Sequence, residues 1–512
     1  MPTQPILILG GGINGAAAAR ELVLNGQNVW LVEANDLACG ATAYSSRLIH
    51  GGLRYLEFAE FSLVKESLAE RGRLLALAPH LVKPLRLFIP VRNSWGGLTD
   101  AAGKFLGLPL KSKKTVHRGL RVVQVGLWLY DRYAHTDELP DRSLHRPTEP
   151  GVPHVNPAIA QRLWAYSDAQ ITFPERLVID FLADARRLAH EKGLDFRVLT
   201  YTQANLAADG RTVELRASGE SDSAPDATTE PLAIVNATGA WVDLTLEKLP
   251  IPSRRLMGGT KGSHFLTFQP RLAELLQGHA VYTEASDGRP VFILPFLAGT
   301  LVGTTDIPYQ GDPAAVVASE QELGYLLAAV NEVFPDATLT RGDIAMHCCG
   351  VRPLPYVDAK TPAAITRRHQ LVWNDQSRLP LVSLVGGKLT TCRSLAEETT
   401  ATVLTRLGLP VDSTSRERHI PRTPVDDCLF EEPTAWSSAA EWAIEHEWVT
   451  RMEDLVERRL MWHFSPELTK DRLGELAEIL IQQGRLAAGE KQAAIERCVG
   501  RLQAHFGMHL EP

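Results

Sequence analysis

The sequence predicts an α/β protein with a parallel sheet in its first domain, and three observations support this fold class. An apolar run, Ile6-Leu7-Ile8-Leu9, leads directly into the glycine turn Gly10-Gly11-Gly12-Ile13-Asn14-Gly15. A segment that favours helix follows, and a second apolar run ends at Glu33. Strand, glycine turn, helix and strand with a terminal acid are typical of a βαβ unit that binds a dinucleotide.

The residues of this βαβ unit have separate predicted roles. Gly10 permits the tight turn, Gly12 lets the backbone approach a pyrophosphate, and Gly15 lets the helix pack close to the strand. The pyrophosphate is expected at the N-terminus of the helix. Glu33 is predicted to bind the ribose hydroxyls of adenosine, which disfavours a 2′-phosphate. Because every part is present in order, dinucleotide binding is favoured over a plain structural turn.

The segment from Asp36 to Leu56 is rich in small, hydroxyl and glycine residues. Such a composition suits a backbone that lies against an extended ligand. Its second half reads Ser45-Ser46-Arg47-Leu48-Ile49-His50-Gly51-Gly52-Leu53-Arg54-Tyr55-Leu56. This run strongly resembles a signature of the FAD-dependent glycerol-3-phosphate dehydrogenases.

The resemblance continues over nearly the whole chain, in the family's order. Its later blocks are Lys261-Gly262-Ser263-His264, Gly303-Thr304-Thr305-Asp306, Gly350-Val351-Arg352-Pro353-Leu354, Ala364-Ile365-Thr366-Arg367 and Gly386-Gly387-Lys388-Leu389-Thr390-Thr391. It implies a Rossmann-like FAD-binding domain of the two-dinucleotide-binding, D-amino-acid-oxidase-like type. An antiparallel β-sheet substrate domain and a C-terminal helical domain are also implied.

The domains are expected to be interleaved along the chain. The predicted FAD-binding domain consists of residues 1–90, 156–245 and 373–410. The predicted substrate-binding domain consists of residues 91–155 and 246–372. Residues 411–434 are polar and interrupted by prolines, which indicates a linker, and residues 435–512 are predicted to form the helical domain.

The resemblance also implies which residues contact FAD. They come from the glycine turn, the small-residue segment and two later turns. The predicted cofactor-binding residues are Gly10, Gly12, Ile13, Asn14, Gly15, Glu33, Thr42, Ser45, Ser46, His50, Gly51, Gly52, Thr238, Gly239, Gly387, Lys388, Leu389 and Thr390.

The expected substrate, sn-glycerol 3-phosphate, is a dianion with a secondary alcohol. Its site needs cations for the phosphate and a group that accepts the hydroxyl proton. The substrate-binding residues implied by the resemblance are Arg54, Tyr55, Thr305, Arg352, Arg367 and Lys388. Arg352 and Lys388 are also predicted to be catalytic, together with His264 as the candidate base. An arginine or an ordered water remains an alternative base.

One block departs from the family pattern. The family usually has Asp-Asp-Ala-Arg-Leu before a helix, whereas this chain has Phe173-Pro174-Glu175-Arg176-Leu177. Glu175 is the candidate replacement for the missing acid. The departure leaves the local contacts to cofactor or substrate, and hence the substrate itself, open.

Composition agrees with an ordinary globular protein of about three domains. The chain has 512 residues, of which 45% are hydrophobic and 22% charged, and its net charge of −7 argues against a general nucleic-acid binder. Six scattered cysteines are too few for a disulfide framework, and no CxxC pair indicates a metal site. A reducing, cytoplasmic location is therefore expected.

Membrane contact is expected to be peripheral, on the cytoplasmic face. The chain has no run of 18 apolar residues and no recognisable signal peptide. Residues 104–121 mix apolar side chains with a local cationic run, which fits a membrane-surface element and a solvated loop equally well.

The predicted function is oxidation of sn-glycerol 3-phosphate to dihydroxyacetone phosphate, with electrons passed through FAD to a membrane quinone. The quinone follows from the resemblance. Two alternatives stay open: an oxidase that uses oxygen, and a flavin-binding redox sensor without turnover. Whether the protein forms a homodimer is also open.

Overall fold

The computed structural model describes residues 4–58, 60–91, 127, 128, 130, 139–219, 224–357, 368–431 and 433–511. The strands are β1 (Ile6–Leu9), β2 (Val29–Val32), β3 (Leu48–Ile49), β4 (Val82–Val91), β5 (Ser143–His145), β6 (Arg162–Ile171), β7 (Phe196–Leu199), β8 (Thr202–Leu206), β9 (Val213–Ala217), β10 (Ala227–Thr229), β11 (Ala233–Asn236), β12 (Thr260–Thr267), β13 (Ala280–Glu284), β14 (Pro290–Phe296), β15 (Gly299–Gly303), β16 (Ile307–Pro308), β17 (Met346–Arg352), β18 (Gln370–Trp373) and β19 (Leu381–Val385).

The α-helices are spread along the chain between these strands and beyond them. They are α1 (Ile13–Leu24), α2 (Phe61–Leu77), α3 (Pro174–Lys192), α4 (Val242–Lys248), α5 (Pro270–Leu276), α6 (Glu320–Val333), α7 (Cys392–Leu407), α8 (Pro424–Phe430), α9 (Trp436–His446), α10 (Met452–Asp454), α11 (Lys470–Gln482) and α12 (Lys491–Phe506). A π-helical turn, Leu455–Arg459, continues directly from α10.

The first sheet has the strand order β18-β19-β11-β1-β2-β7. All neighbouring pairs are parallel except β18–β19. Strands β1 and β2 are short, wholly apolar and buried on both faces, as is typical of parallel strands. Helices α1, α3 and α7 cover one face, whereas α4 and the small sheet β8–β10 cover the other. The predicted βαβ unit is confirmed as β1-α1-β2.

The second sheet has the order β16-β12-β15-β14-β13-β4-β6-β3, and β17 and β5 pair with β12 and β6. Its pairs are antiparallel except that between β4 and β13. Strands β3, β4 and β6 belong to this sheet, although their residues, apart from Val91, fall in segments predicted for the FAD-binding domain. Helices α5 and α6 pack on one face of the sheet.

The C-terminal region is helical, as predicted. Helices α8, α9, α11 and α12 share one apolar core with the other face of the second sheet, where Leu87, Tyr166 and Leu266 contribute. The predicted linker is partly helical, because α8 lies inside it and begins with a capping box between Thr423 and Asp426.

The expected membrane-surface segment, residues 104–121, lies outside the described residues. Within the described part of the chain, no helix combines the length and the apolar character that a bilayer crossing needs.

Candidate active site

A large cavity opens at the carboxyl end of β1 and extends between the two sheets. Its volume is about 1080 Å³, and its wall includes Gly10, Glu33, Thr238, His264 and Lys388. Ligands of α/β sheets bind at the carboxyl ends of the strands. The fold thus brings residues from separate blocks of the sequence around one space.

The glycine turn leaves space for a ligand. A Cβ at Gly15 would overlap the carbonyl oxygen of Gly10, so this glycine is required by the packing of α1 on the turn. A Cβ at Gly12 would meet only the Thr42 hydroxyl, at 3.5 Å. The space above Gly12 is therefore free for a pyrophosphate at the start of α1, which fits the dinucleotide expected here. The side-chain oxygen of Asn14 is buried and has no hydrogen-bond partner within the described structure.

The loop after β2 forms the wall beside this turn. The Glu33 carboxylate accepts hydrogen bonds from the backbone amides of Gly11 (2.7 Å) and Asn35 (2.9 Å). Burial raises the pKa of Glu33. Thr42 accepts a hydrogen bond from the amide of Ile13, at 3.1 Å. Glu33 thus has a structural role in addition to the ribose binding predicted for it.

Several residues at the adenosine side were not anticipated. Thr202, Gln203, Ala204 and Ser218 line the cavity next to Glu33. They come from β8 and the end of β9, and their sequence carries no glycine motif. Only the parallel pairing of β2 with β7 brings the following strand β8 to this place.

The remaining predicted cofactor-binding residues fall into two groups. Ser45, Ser46, Thr238, Gly239, Gly387, Lys388 and Leu389 line the cavity, whereas Gly15, His50, Gly51, Gly52 and Thr390 are not among its lining residues. The amide of His50 donates to the Thr390 hydroxyl at 3.1 Å, and that of Gly51 donates to the Tyr130 hydroxyl at 2.8 Å. His50, Gly51 and Thr390 thus form hydrogen bonds within the protein and do not line the cavity.

Arg352 is held at the end of β17 by contacts across the second sheet. Its guanidinium donates hydrogen bonds to the Thr304 hydroxyl (2.7 Å), the Thr305 carbonyl (3.1 Å) and the Asp306 carboxylate (3.3 Å). A Cβ at Gly262, on the neighbouring strand β12, would overlap this guanidinium. The glycine in the Lys261-Gly262-Ser263-His264 block thus provides the space for Arg352.

His264 lies beside Arg352 and is almost completely buried. Its Nε2 is 2.9 Å from the Ser46 hydroxyl, and its Nδ1 has no hydrogen-bond partner among the described residues. Burial, with the positive charges of Arg352 and Arg47, lowers the pKa of His264 to about 3. The imidazole is therefore neutral at physiological pH and, before substrate binds, is a weak base.

Lys388 and Tyr55 are close to each other at the same wall. The Lys388 ammonium lies 3.9 Å from the centre of the Tyr55 ring and 3.4 Å from the Ser67 hydroxyl. Two other predicted cations, Arg367 and the side chain of Arg54, fall outside the described residues.

Thr305, predicted to bind substrate, does not line the cavity. Its hydroxyl donates to Glu322 at 2.8 Å and accepts from the amide of Ser263 at 2.9 Å. Glu322 also accepts from the Ser263 hydroxyl and pairs with Lys261 at 2.6 Å. Sequence reasoning missed Glu322, because a single acid at the start of an amphipathic helix carries no signal of such a role.

The departing block Phe173–Leu177 is buried away from the cavity. The Glu175 carboxylate accepts two hydrogen bonds from the Arg47 guanidinium, at 2.7 and 3.0 Å. The Arg47 guanidinium also lies over the rings of Phe296 and Phe464. The block therefore supports the small-residue segment from behind rather than lining the described cavity wall.

Comparison with known proteins connects this site to a family. The profile described as FAD dependent oxidoreductase matches residues 5–393. A glycerol-3-phosphate dehydrogenase from Synechocystis sp. is 37% identical over 77% of this chain and 68% of its own length. An aerobic glycerol-3-phosphate dehydrogenase from Escherichia coli is 36% identical over 78% of this chain and 72% of its own length. The chain belongs to the FAD-dependent glycerol-3-phosphate dehydrogenase family.

One further relative and one solved structure are also similar to this flavoenzyme. A D-erythritol 1-phosphate dehydrogenase from Brucella abortus is 35% identical over 77% of the chain and 72% of its own length. The glycerol-3-phosphate dehydrogenase from Bacillus halodurans, solved with FAD, has a TM-score of 0.71 at 20% identity and covers 98% of this chain and 95% of its own. The predicted fold class and the FAD cofactor are confirmed.

Proposed function

We propose that this flavoenzyme oxidises sn-glycerol 3-phosphate to dihydroxyacetone phosphate and passes the electrons to a membrane quinone. The observation that carries the proposal is the fixed guanidinium of Arg352 beside the neutral imidazole of His264 in the cofactor cavity. A cation for an anionic substrate and an acceptor for a hydroxyl proton are the two groups that this oxidation needs.

FAD, when bound, supplies the acceptor for the hydride that leaves the alcohol carbon. The roles proposed for the protein's own residues are binding, orientation and proton transfer. Arg352 and Lys388 would attract the dianionic substrate, and Tyr55 packs against Lys388. Arg54 and Arg367 are proposed as further phosphate ligands by resemblance.

His264 is proposed to accept the hydroxyl proton. The positive charge of Arg352 contributes to its low pKa. A phosphate dianion next to Arg352 would offset that charge and raise the pKa, so the substrate itself would make His264 a better base. An arginine or an ordered water remains the alternative acceptor.

A second candidate substrate is a four-carbon polyol phosphate. The similarity to a D-erythritol 1-phosphate dehydrogenase, at 35% identity, favours it nearly as much as the other relatives favour glycerol 3-phosphate. Both substrates present a phosphate and a secondary alcohol, so the same cations and base would serve them.

The decisive experiment is an anaerobic titration of the purified holoenzyme, followed through the visible absorbance of the oxidised flavin. Bleaching by glycerol 3-phosphate, followed by fast recovery with a quinone analogue, would support the proposal. Bleaching by D-erythritol 1-phosphate but not by glycerol 3-phosphate would identify the four-carbon polyol phosphate as the substrate. Fast recovery in air alone would indicate an oxidase, and no bleaching by either alcohol would favour a redox sensor.

The proposed location is the cytoplasmic face of a membrane, reached through residues 104–121. The cationic run in this segment predicts binding to anionic vesicles at low ionic strength. We expect sedimentation with vesicles that contain anionic lipid but not with neutral ones. Equal recovery in the supernatant for both vesicle types would contradict the membrane proposal. Homodimer formation stays a prediction.

A further inference from the structure

The π-helical turn Leu455–Arg459 places two arginines on one aspartate of the FAD-binding region. Arg459 donates two hydrogen bonds to the Asp36 carboxylate, at 2.9 and 2.8 Å, and Arg458 donates a third. The side chains of all three residues are at most 5% exposed. Burial alone would raise the pKa of Asp36, but the two arginines lower it below its usual value. The aspartate is therefore a buried, charged anchor.

Asp36 lies in the loop that forms one wall of the cofactor cavity. On one side of it, Glu33 accepts a hydrogen bond from the Gly11 amide. On the other side, Ala38 donates to the Gly11 carbonyl at 3.0 Å, and Thr42 accepts from the Ile13 amide. The ion pairs of Asp36 thus hold the middle of the loop, and the parts on either side of it are hydrogen-bonded to the glycine turn.

The neighbouring part of the adenosine-side wall has a similar link. The Tyr201 hydroxyl donates to the Asp454 carboxylate, at 2.5 Å. The amide of Tyr201 donates to the Asn35 carbonyl, and the amide of its neighbour Thr202 donates to the Glu33 carbonyl, each at 2.9 Å. Because Thr202 lines the cavity, α10 and the π-helical turn that follows it together contact both of these adjacent parts of the wall.

These contacts form one ionic group, here named the Asp36 cluster, of which only Arg501 is partly exposed. Its members are Asp36, Asp454, Glu457, Arg458, Arg459 and Arg501. It contains three acidic and three basic side chains. Buried charges are tolerated only when paired, so each member depends on the others. The position of the cavity wall is therefore coupled to the docking of the C-terminal helices.

We propose that the C-terminal helical region sets the affinity of this enzyme for FAD by holding the adenosine-side walls through the Asp36 cluster. Arg458 and Arg459 are positioning residues, since they contact the wall and not the cavity. A wall that is already in place loses less conformational entropy when the cofactor binds, so binding is tighter. The proposal rests on the family's cofactor and is independent of the substrate.

The test is the dissociation constant for FAD of the Arg459→Gln variant, measured by flavin fluorescence on the full-length apoprotein. We expect an increase of at least about tenfold relative to wild type, with faster FAD release. The KM for glycerol 3-phosphate, measured at saturating FAD, is expected to be unchanged. An unchanged dissociation constant would overturn the proposal.

The matched control is Asp184→Asn, in a buried ionic group that has no described contact with the Asp36 cluster. Asp184 pairs with Arg20 at 2.8 Å and with Arg418 at 2.9 Å, so it joins α3 to α1 and to the segment before α8. Among the described contacts, it touches neither the 33–42 loop nor the 201–204 segment. This variant is expected to lower the melting temperature of the apoprotein but to leave the FAD dissociation constant unchanged. An equal loss of FAD affinity in both variants would mean general destabilisation and would overturn the proposal.

A milder variant keeps the test decisive if Arg459→Gln fails to fold. Tyr201→Phe removes only the hydroxyl that donates to Asp454. We expect a two- to tenfold weaker FAD affinity, about one kcal/mol, with the apoprotein melting temperature near that of wild type. Wild-type affinity in this variant, together with a folded protein, would contradict the proposed coupling.

Discussion

The two ends of the cofactor cavity are built by different means. At the proposed pyrophosphate end, the wall consists of backbone groups and leaves open space, as above Gly12. At the proposed reacting end, the wall carries charged side chains that other residues hold in place, as Thr304 and Asp306 hold Arg352. Ligand binding should therefore be sensitive to added side-chain volume at the first end and to loss of charge at the second.

The difference also reflects the sheets that supply each end. The pyrophosphate end belongs to one βαβ unit, whose parts are adjacent in sequence. The reacting end combines β12, β15 and β17 of the second sheet with the turn after β19 of the first. Short-range geometry is therefore sufficient at one end, and long-range packing is required at the other.

The largest effect is expected for Arg352→Ala at the reacting end. Removing a partly buried cation that binds an anionic substrate costs about 2–5 kcal/mol, so kcat/KM should fall by about 30- to 4000-fold. FAD affinity should change little. Steady-state kinetics and fluorescence titration measure the two quantities, with the exposed Arg271→Ala as control. Loss of FAD with an unchanged kcat/KM would reverse the assignment of the two ends.

A smaller effect is expected for Gly12→Ala at the pyrophosphate end. The apoprotein can hold this Cβ, so its melting temperature should stay near that of wild type. The added methyl occupies the ligand's space, and overpacking of about 1–3 kcal/mol predicts a roughly 5- to 150-fold weaker FAD affinity. Gly15→Ala, whose Cβ overlaps Gly10, should instead destabilise the apoprotein as well. Similar melting temperatures for the two variants would contradict this distinction.

The smallest effect concerns acid stability through His264. Its pKa is about 3 in the folded protein, against about 6.5 for an unperturbed imidazole. Below about pH 6.5, the imidazole of His264 binds a proton in the unfolded chain but not in the folded protein. Its contribution to the free energy of unfolding is therefore fully present above that pH and is lost as the pH falls towards 3. Between pH 7 and pH 5, wild type should therefore lose about 2 kcal/mol more unfolding free energy than His264→Asn does.

Denaturant unfolding at the two pH values measures this difference, and the exposed His190→Asn serves as control. If wild type and His264→Asn lose stability equally on acidification, then the imidazole is not held neutral by its surroundings.

Much of the first sheet could be predicted because its signals are local. Glycines at the β1–α1 turn and the buried apolar runs of β1 and β2 act on their own neighbours in the chain. The predicted residues that line the cavity come mostly from such turns. Thr305 shows the limit, because its hydroxyl is used by Glu322 on a separate helix. No property of its block distinguishes it from Thr304, which contacts Arg352.

By itself, the sequence determined the dinucleotide turn, the family and the FAD cofactor, since these depend on short, ordered motifs. The tertiary structure alone decided which charged groups meet. Glu175 pairs with Arg47, and Asp36 pairs with Arg459, although the latter two are 423 positions apart in the chain. The physical reason is that a backbone conformation depends on neighbouring residues, whereas an ion pair between distant segments depends on how whole elements pack together.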